Sequence, residues 1–548
     1  MSLKAPKSRI ARVLDSLGAL PLGRFLLILA VWACLSRLPF LFTDLLNNDE
    51  GGWWMGAKIW LSGGVPYLDF IDNKPPLIYL LYALPQLIGI HSLHFMHALS
   101  LPLICATGYL AGKLAMELAP VEAARRHSGV RLIALFYVGL SALGPSRQFL
   151  PLNTEHAAML PMVWAMLCYS RARLGIDERR NLALAGALVA IAGLIRQSLL
   201  FATPLLALEL LWAPLGRAED EEDARVETLG ALKRWIFFGA GFLLINGLFV
   251  AYLAANNAVG EAFFWIVMAN SDTARHSPDL AYHLLRFSRN ILPSIALALP
   301  LWILALRGLR RECWADAPRF RLTILWMGSA AVALWTGSLG GRWLGHYYIP
   351  VLAPLSAVAG ARLLALLSRD ESAGTLGARL GGSALVLVSA GALIFGGANI
   401  ARTLRGGYEE AGPVLSAAAA RIDSLTDQDD PVFVWGFAQG LYYKARRLPA
   451  NRFIAPNTPI TGYMFGAERA FDELDLEKLV LPEQFDHFIG DLKRGRPKLF
   501  LDYAENDFHY FGRHRIERFP TLQQWLSENY RRLPDEGPIV FYERVDRR

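Results

Sequence analysis

Over most of the chain, hydrophobic residues form long unbroken runs instead of alternating with polar ones. The runs cover about 22–42, 94–117, 130–145, 156–172, 181–195, 198–212, 234–255, 289–306, 321–337, 346–367 and 380–400. A bilayer core about 30 Å thick takes roughly 17–25 apolar residues in helix, so each run is predicted to be a membrane span or close to one. A twelfth run, 75–90 (PPLIYLLYALPQLIGI), is shorter and opens on two prolines. The pattern changes after residue 404. There the short β-like runs 431–437, 498–504 and 539–545 alternate with helix-like stretches such as 521–532. That alternation predicts a small α/β domain. The expected architecture is a polytopic α-helical membrane domain over 1–404, followed by a C-terminal α/β domain over 405–548.

Composition supports lipid as the solvent. The 548 residues are 54% hydrophobic and 19% charged, with a mean hydropathy of +0.30. Soluble domains run at about 45–50% apolar and about 25% charged. Residues 406–548 hold 19 Lys and Arg against 23 Asp and Glu, whereas residues 1–405 hold 36 against 25. The basic excess therefore lies between apolar runs, and the net charge of +7 does not indicate nucleic-acid binding. Cys34, Cys105 and Cys168 fall inside apolar runs and Cys313 in a basic loop, so no disulfide framework or CxxC pair is available. The basic N-terminus leads into an apolar run that continues to Phe42 without a small-residue cleavage site, which reads as a retained first span.

Positive charge orients the spans. Lys4, Lys7, Arg9, Arg12 and Arg24 assign the N-terminus to the cytoplasm. If 75–90 does not cross, Arg125/Arg126/Arg131, Arg171/Arg173/Arg179/Arg180, Arg217/Arg225/Lys233/Arg234, Arg307/Arg310/Arg311/Arg319/Arg321 and Arg369/Arg379 are cytoplasmic too. If it crossed, that whole set would move outside. About eleven spans are expected, with 75–90 lying at or dipping into the outer surface and the tail domain outside. Trp53, Trp54 and Trp60 stand at near-helical spacing in the first outer loop and predict an interfacial helix there.

This orientation gathers the unusual polar residues on one face, where charges at membrane depth are functional candidates. Asp49 and Glu50 follow the first span, and a carboxylate there suits a general base toward a hydroxyl. Asp72 and Lys74 lie in DNKPP, Glu155 in LPLNTEH, Arg196 at the break IRQS, and Arg342, His346 and Tyr347 in GGRWLGHYY. Taken singly, each acid is equally a helix-end residue and each cation a snorkelling side chain. Three cations beside several acids on one face suit the handling of a phosphate. The Asp, Glu and His residues leave room for a divalent metal without indicating one. There is no P-loop, HExxH or GxSxG, so the ATPase, zincin and hydrolase readings lose support.

The run DEGGWWMGAKIWLSGGVPYLDFIDNKPPLIYLLYALPQLIG resembles the first outer loop of the GT-C membrane glycosyltransferases. It is most similar to bacterial enzymes related to protein O-mannosyltransferases and to the transferases that add aminoarabinose or galacturonate to lipid A. The later GRWLGHYYIPVLAPLSA resembles the entry to a late span in the same group. The resemblance implies a GT-C fold in the bacterial cytoplasmic membrane. It also implies inverting transfer of a sugar from a polyprenyl-phosphate carrier to a hydroxyl of a lipid, glycan or protein at the external face. By that resemblance Asp49 would be the general base, Glu50 would support it, and Lys74 would hold the carrier phosphate. Arg196 and Arg342 are added to that cradle from their position. Where the lipid A transferases typically have an acid before Lys-Pro, this chain has Asn73, with Asp72 one residue back; Glu155 stands in an NTE context. The alternatives are a lipid-linked sugar flippase, for which no internal repeat is found, and an inactive scaffold that binds a partner.

Overall fold

The computed structural model describes residues 9–119, 123–144, 147–212, 221–271, 279–368, 371–405, 412–455, 458–462 and 479–545. Lys4, Lys7, Arg217 and Arg369, and the junction just after Arg405, lie outside these residues. Each apolar run coincides with helix. Among the described residues, five helices are long and apolar enough to cross a membrane: Leu93–Leu118, Thr228–Ala255, Ala317–Gly341, Gly345–Leu367 and Gly374–Leu404. Their surroundings differ. The apolar window of Gly345–Leu367 is 94% buried, but that of Thr228–Ala255 only 17%. The first is the central post of a bundle, packed by Leu93–Leu118, Leu299–Arg307, Ala317–Ser338 and Glu371–Leu404. The second shows Leu243, Leu244 and Leu248 to the outside, as a lipid-facing helix does.

Three of the expected spans are broken. The run 22–42 is α-helical over Leu22–Leu35 and ends in a 3₁₀ turn, Leu38–Leu41, that holds Pro39. The run 289–306 divides into Leu280–Asn290, Leu292–Leu297 and Leu299–Arg307, with Pro293 and Pro300 at the new helix starts. The run 198–212 opens as a 3₁₀ turn, Gln197–Ala202, before Thr203–Trp212. The stretch 75–90 holds an 11-residue helix, Leu77–Leu87, about 16 Å long and so too short to cross.

The tail forms one sheet of four strands, β1 (Val432–Trp435), β2 (Leu499–Asp502), β3 (Tyr530–Arg532) and β4 (Val540–Arg544), in the order β1-β2-β4-β3. β1 and β2 are parallel, and the other pairs are antiparallel. The expected strands are present, but the helix expected over 521–532 stops at Asn529 and its last residues become β3. Tyr530 ends it by donating its buried hydroxyl to Pro497 O and pairing with Arg544.

At the end of β2, burial raises the Asp502 carboxyl to about 7. The unfolded chain ionises near 4, so the folded domain loses stability as pH rises from there to 7. Asp502→Asn keeps an oxygen for the Ala504 N–H. It should stabilise the tail at pH 8 by a few kcal/mol, at about 1.4 kcal/mol per pKa unit, and change nothing at pH 4. Amide exchange of β1 and β2, corrected for intrinsic rates, is the measurement.

Candidate active site

The first outer loop enters a helix, Asn48–Leu61, capped by the Asn47 side chain, which accepts from Glu50 N–H at 3.0 Å. Successive residues of a helix point about 100° apart, so the adjacent acids face different surroundings. Asp49 is half-buried and lines a cavity of about 140 Å³. Glu50 is fully buried on the other side. One of its oxygens contacts His97 Nε2 at 2.9 Å, and the other accepts from Leu46 N–H at 3.1 Å. Trp53 and Trp54 do not lie at an interface. They are 2% and 4% exposed, with Trp53 edge-on to Tyr82 and Trp54 edge-on to Tyr443. The tail domain and the Leu77–Leu87 helix cover this face of the acid helix.

The loop then turns back to bring Lys74 to the same cavity. Tyr67 adopts a left-handed backbone (φ 70°), and its hydroxyl donates to Lys74 O at 2.8 Å. The Lys74 ammonium donates to Asn73 Oδ1 at 2.7 Å. Asn73 in turn is held by Asn270, whose side chain it meets at 3.0 Å, and by Gln197, which donates to its carbonyl at 2.9 Å. Among the described residues no carboxylate pairs with Lys74. Asp72 is occupied by the Tyr79 hydroxyl at 2.8 Å and by Asn73 N–H at 2.6 Å. Burial, with Asp72 beside it, pushes the Tyr79 phenol up, so it stays a donor.

Four helix ends meet at this level. Thr154–Arg173 begins here, Glu178–Ile195 ends here, and Ala317–Ser338 and Ile349–Leu367 are joined here. Glu155 is fully buried and meets Arg196 at 2.8 Å. Arg196 projects because its own backbone is extended (φ −145°, ψ 105°) at the break after Ile195. Its guanidinium also lies 4.6 Å from the centre of the Tyr347 ring. His346 approaches Glu155 at 3.5 Å and Gln148 at 3.2 Å. Arg342 comes from a loop that needs Gly340 and Gly341, both at φ 67°. The helix Leu280–Asn290 braces that loop: Arg286 donates to Arg342 O, Asn290 to Trp343 O, and the Trp343 indole donates to His283. No carboxylate among the described residues pairs with the Arg342 side chain.

Asp49, Asp72, Lys74, Glu155, Arg196, Arg342, His346 and Tyr347 therefore line one cavity, and Glu50 stands behind it. Sequence reasoning did not single out Asn153, Phe437 and Gln439, which line it too. Asn153 donates to Gln148 O at 2.7 Å and leaves its own oxygen buried without a partner among the described residues. The last two belong to the tail domain. No group of three or more His, Cys, Asp or Glu among the described residues is placed to hold a metal ion.

The tail is fastened to this site by polar contacts. Asn48 donates to Phe437 O at 3.2 Å, and Ile71 N–H donates to Arg452 O at 2.8 Å. Tyr443 donates to Asp44 at 2.7 Å and accepts from Leu93 N–H at 3.0 Å. Burial alone would raise the Asp44 carboxyl, but Tyr443, His94 and Ser92 outweigh it and hold Asp44 below its usual value. The acid helix and the tail touch backbone to backbone where Gly51 meets Gly440.

No protein-family model matches the chain, and no curated protein matches its sequence. Solved structures do. ArnT from Cupriavidus metallidurans in the apo state is similar, with a TM-score of 0.53 and 14% identity over 95% of this chain and 98% of that one. The same protein bound to undecaprenyl phosphate gives 0.49 at 14% identity, over 96% and 98% of the two chains. The Archaeoglobus fulgidus oligosaccharyltransferase in complex with Zn and sulfate gives 0.48 at 14% identity, over 95% of this chain and 73% of that one. The apo ArnT match carries the fold argument: the chain shares the fold of that structure over 95% of its length.

A Cβ at Gly51 would lie 2.6 Å from Gly440 Cα and 2.8 Å from its nitrogen, and backbone cannot swing aside. Gly51→Ala should loosen the tail at a cost of about 1–3 kcal/mol. Gly23→Ala, which meets nothing within 4 Å, is the control. Amide exchange over 437–445 should accelerate in the first variant only.

Proposed function

We propose that the protein is an inverting glycosyltransferase that moves a sugar from a polyprenyl-phosphate donor to an acceptor hydroxyl at the outer face of the bacterial cytoplasmic membrane. The observation that carries this reading is one cavity lined by Asp49, Lys74 and Arg342, the last two being cations with no carboxylate partner among the described residues. The fold likeness to ArnT and the apolar bundle beneath the cavity support it.

In this reaction the acceptor oxygen attacks the anomeric carbon on the side opposite the phosphate. Asp49 takes the hydroxyl proton as the new carbon–oxygen bond forms. The bond from the anomeric carbon to the phosphate oxygen breaks, and the polyprenyl phosphate leaves with one more negative charge than it carried in the donor. Lys74 and Arg342 stabilise that charge as it develops. Arg196 also borders the cavity, but Glu155 already balances it, so its part is to complete the wall and offer remaining N–H donors. Glu50 acts through Asp49: by tying Leu46 and His97 together it fixes where the helix begins. Its role is positioning.

Three variants test the assignment, with radiolabelled polyprenyl-phosphate sugars and membrane extract as acceptor source. Asp49→Asn should lower transfer about 10²–10⁴-fold with an unchanged melting temperature. Lys74→Ala should cost about 2–4 kcal/mol in the barrier. Glu50→Ala strips a buried partner from His97 and should lower thermal stability as well as activity. Full transfer by folded Asp49→Asn and Lys74→Ala would sink the reading, and movement of carrier across proteoliposomes without transfer would replace it with a transporter.

A further inference from the structure

The loop that brings Arg342 to the cavity is held in a costly conformation. Gly340 and Gly341 have φ 67°, and Trp343 has φ 42°, a left-handed backbone that bulky residues rarely adopt. Such a residue stays in place only where its neighbours over-determine it. For Trp343, three of those neighbours lie on one helix, Leu280–Asn290. Asn290 donates to the Trp343 carbonyl at 3.0 Å, His283 accepts from its indole at 3.1 Å, and the Phe287 ring stands edge-on at 5.0 Å. Arg286 of the same helix donates to Arg342 O at 3.2 Å. The helix itself is inside out. Its polar side chains turn toward the loop, while Leu280, Leu284 and Leu285 turn away and are 73%, 58% and 62% exposed. None of its 11 residues is buried. A helix this short is marginal in water, and one that packs on protein buries its leucines before its arginine. The chain runs on into Leu292–Leu297 and Leu299–Arg307, helices of an apolar run that leave Leu292, Leu299 and Leu306 exposed in the same way.

We propose that the apolar face of Leu280–Asn290 is sunk in the leaflet on the cavity side of the membrane, and that the lipid surface thereby latches Trp343 and sets Arg342 in the cavity. The partner is the acyl region of the bilayer. Lying in the interface buries Leu280, Leu284 and Leu285 and keeps the polar face free for the loop, which is how an interfacial helix gains its stability. The same lipid already covers the exposed leucines of the apolar run that follows, so the helix continues a lipid-facing surface. Withdrawn from the leaflet, the helix has no burial to hold it. Trp343 then loses three of its restraints, its backbone relaxes out of the left-handed region, and the adjacent Arg342 moves with it. The latch acts through Arg342, so its leucines are positioning residues. Burial in lipid stands apart from the transferase reading, and only the consequence for the donor rests on it.

The test reconstitutes the full chain in vesicles of phosphatidylethanolamine and phosphatidylglycerol with a trace of phosphatidylcholine that carries a diazirine in its acyl chain. Illumination should label the segment 280–291 and spare the tail helix Pro520–Asn529. Leu284→Ser combined with Leu285→Ser should lose that label and speed amide exchange over 339–345 about tenfold. Leu284→Phe combined with Leu285→Phe keeps the face apolar and should behave as the parent. On a face bathed in water the serines would change nothing. With radiolabelled polyprenyl-phosphate sugars, the serine pair should lower kcat/KM for the donor about tenfold, and should add nothing further in an Arg342→Ala background. No label on 280–291, exchange over 339–345 unmoved by the serines, or photo-crosslinks from 280–291 to a second copy in place of lipid would overturn the proposal whether or not sugar is transferred. A serine effect that persists in the Arg342→Ala background would overturn the coupling to Arg342. A parent labelled as expected but inert with every donor overturns the transferase reading alone.

Discussion

One turn of helix carries the organisation of this molecule. Residues 48–52 sit where the membrane bundle, the cavity and the tail domain meet, and each faces a different neighbour. Asn48 bridges Phe437 and Gly440, Asp49 faces the cavity, and Glu50 is buried against His97. Gly51 touches Gly440, and Gly52 receives Gln439. Gly51 is required because the tail backbone lies where its side chain would be, and Gly52 leaves room for the Gln439 side chain. Two adjacent carboxylates can differ this much because a helix turns each residue away from the last. Burying Glu50 demands a partner, and His97 supplies it.

Charge around the cavity is partitioned in a way that composition does not reveal. Among the described residues, three cations and three carboxylates border it. Glu155 takes up Arg196, and Asp72 is bound by a phenol and an amide. Lys74 is held only by an asparagine among the described residues, so its ammonium keeps donors for an incoming anion. Asn73 stands where an acid would have quenched that lysine, and it draws Asn270 and Gln197 into a neutral network instead. On the proposed reading, neutral support beside Lys74 leaves its charge available for the departing phosphate.

The apolar runs disclosed nearly every helix because a segment that must satisfy its backbone in lipid has few alternatives. The polar residues between them were legible as a group because charge is expensive at such depths. What stayed hidden depends on long-range contact. Trp53 and Trp54 have the spacing of an interfacial helix, yet a domain encoded more than 380 residues later covers them. Glu50 looks like Asp49 in sequence, and only the position of His97 separates them. Gln439 carried no local signal at all. β3 was lost because Tyr530 reads as the end of a helix until Pro497 and Arg544 supply its partners.

The tail domain is therefore part of the site itself. Phe437, Gln439, Ile454, Ala455 and Pro459 form one wall of the cavity, and without them Asp49 would open onto solvent. On the proposed reading, a carboxylate in open water would have to reorganise its hydration to take a proton, whereas a half-buried Asp49 beside fixed dipoles would not. Docking the tail supplies that environment. The clamp of Asp44 on Tyr443, His94 and Ser92 ties the docked domain to the entry of the Leu93–Leu118 helix, and through it to the bundle core. The cavity is complete only with the tail docked, so a change that loosens the tail alters the surroundings of Asp49 without touching it.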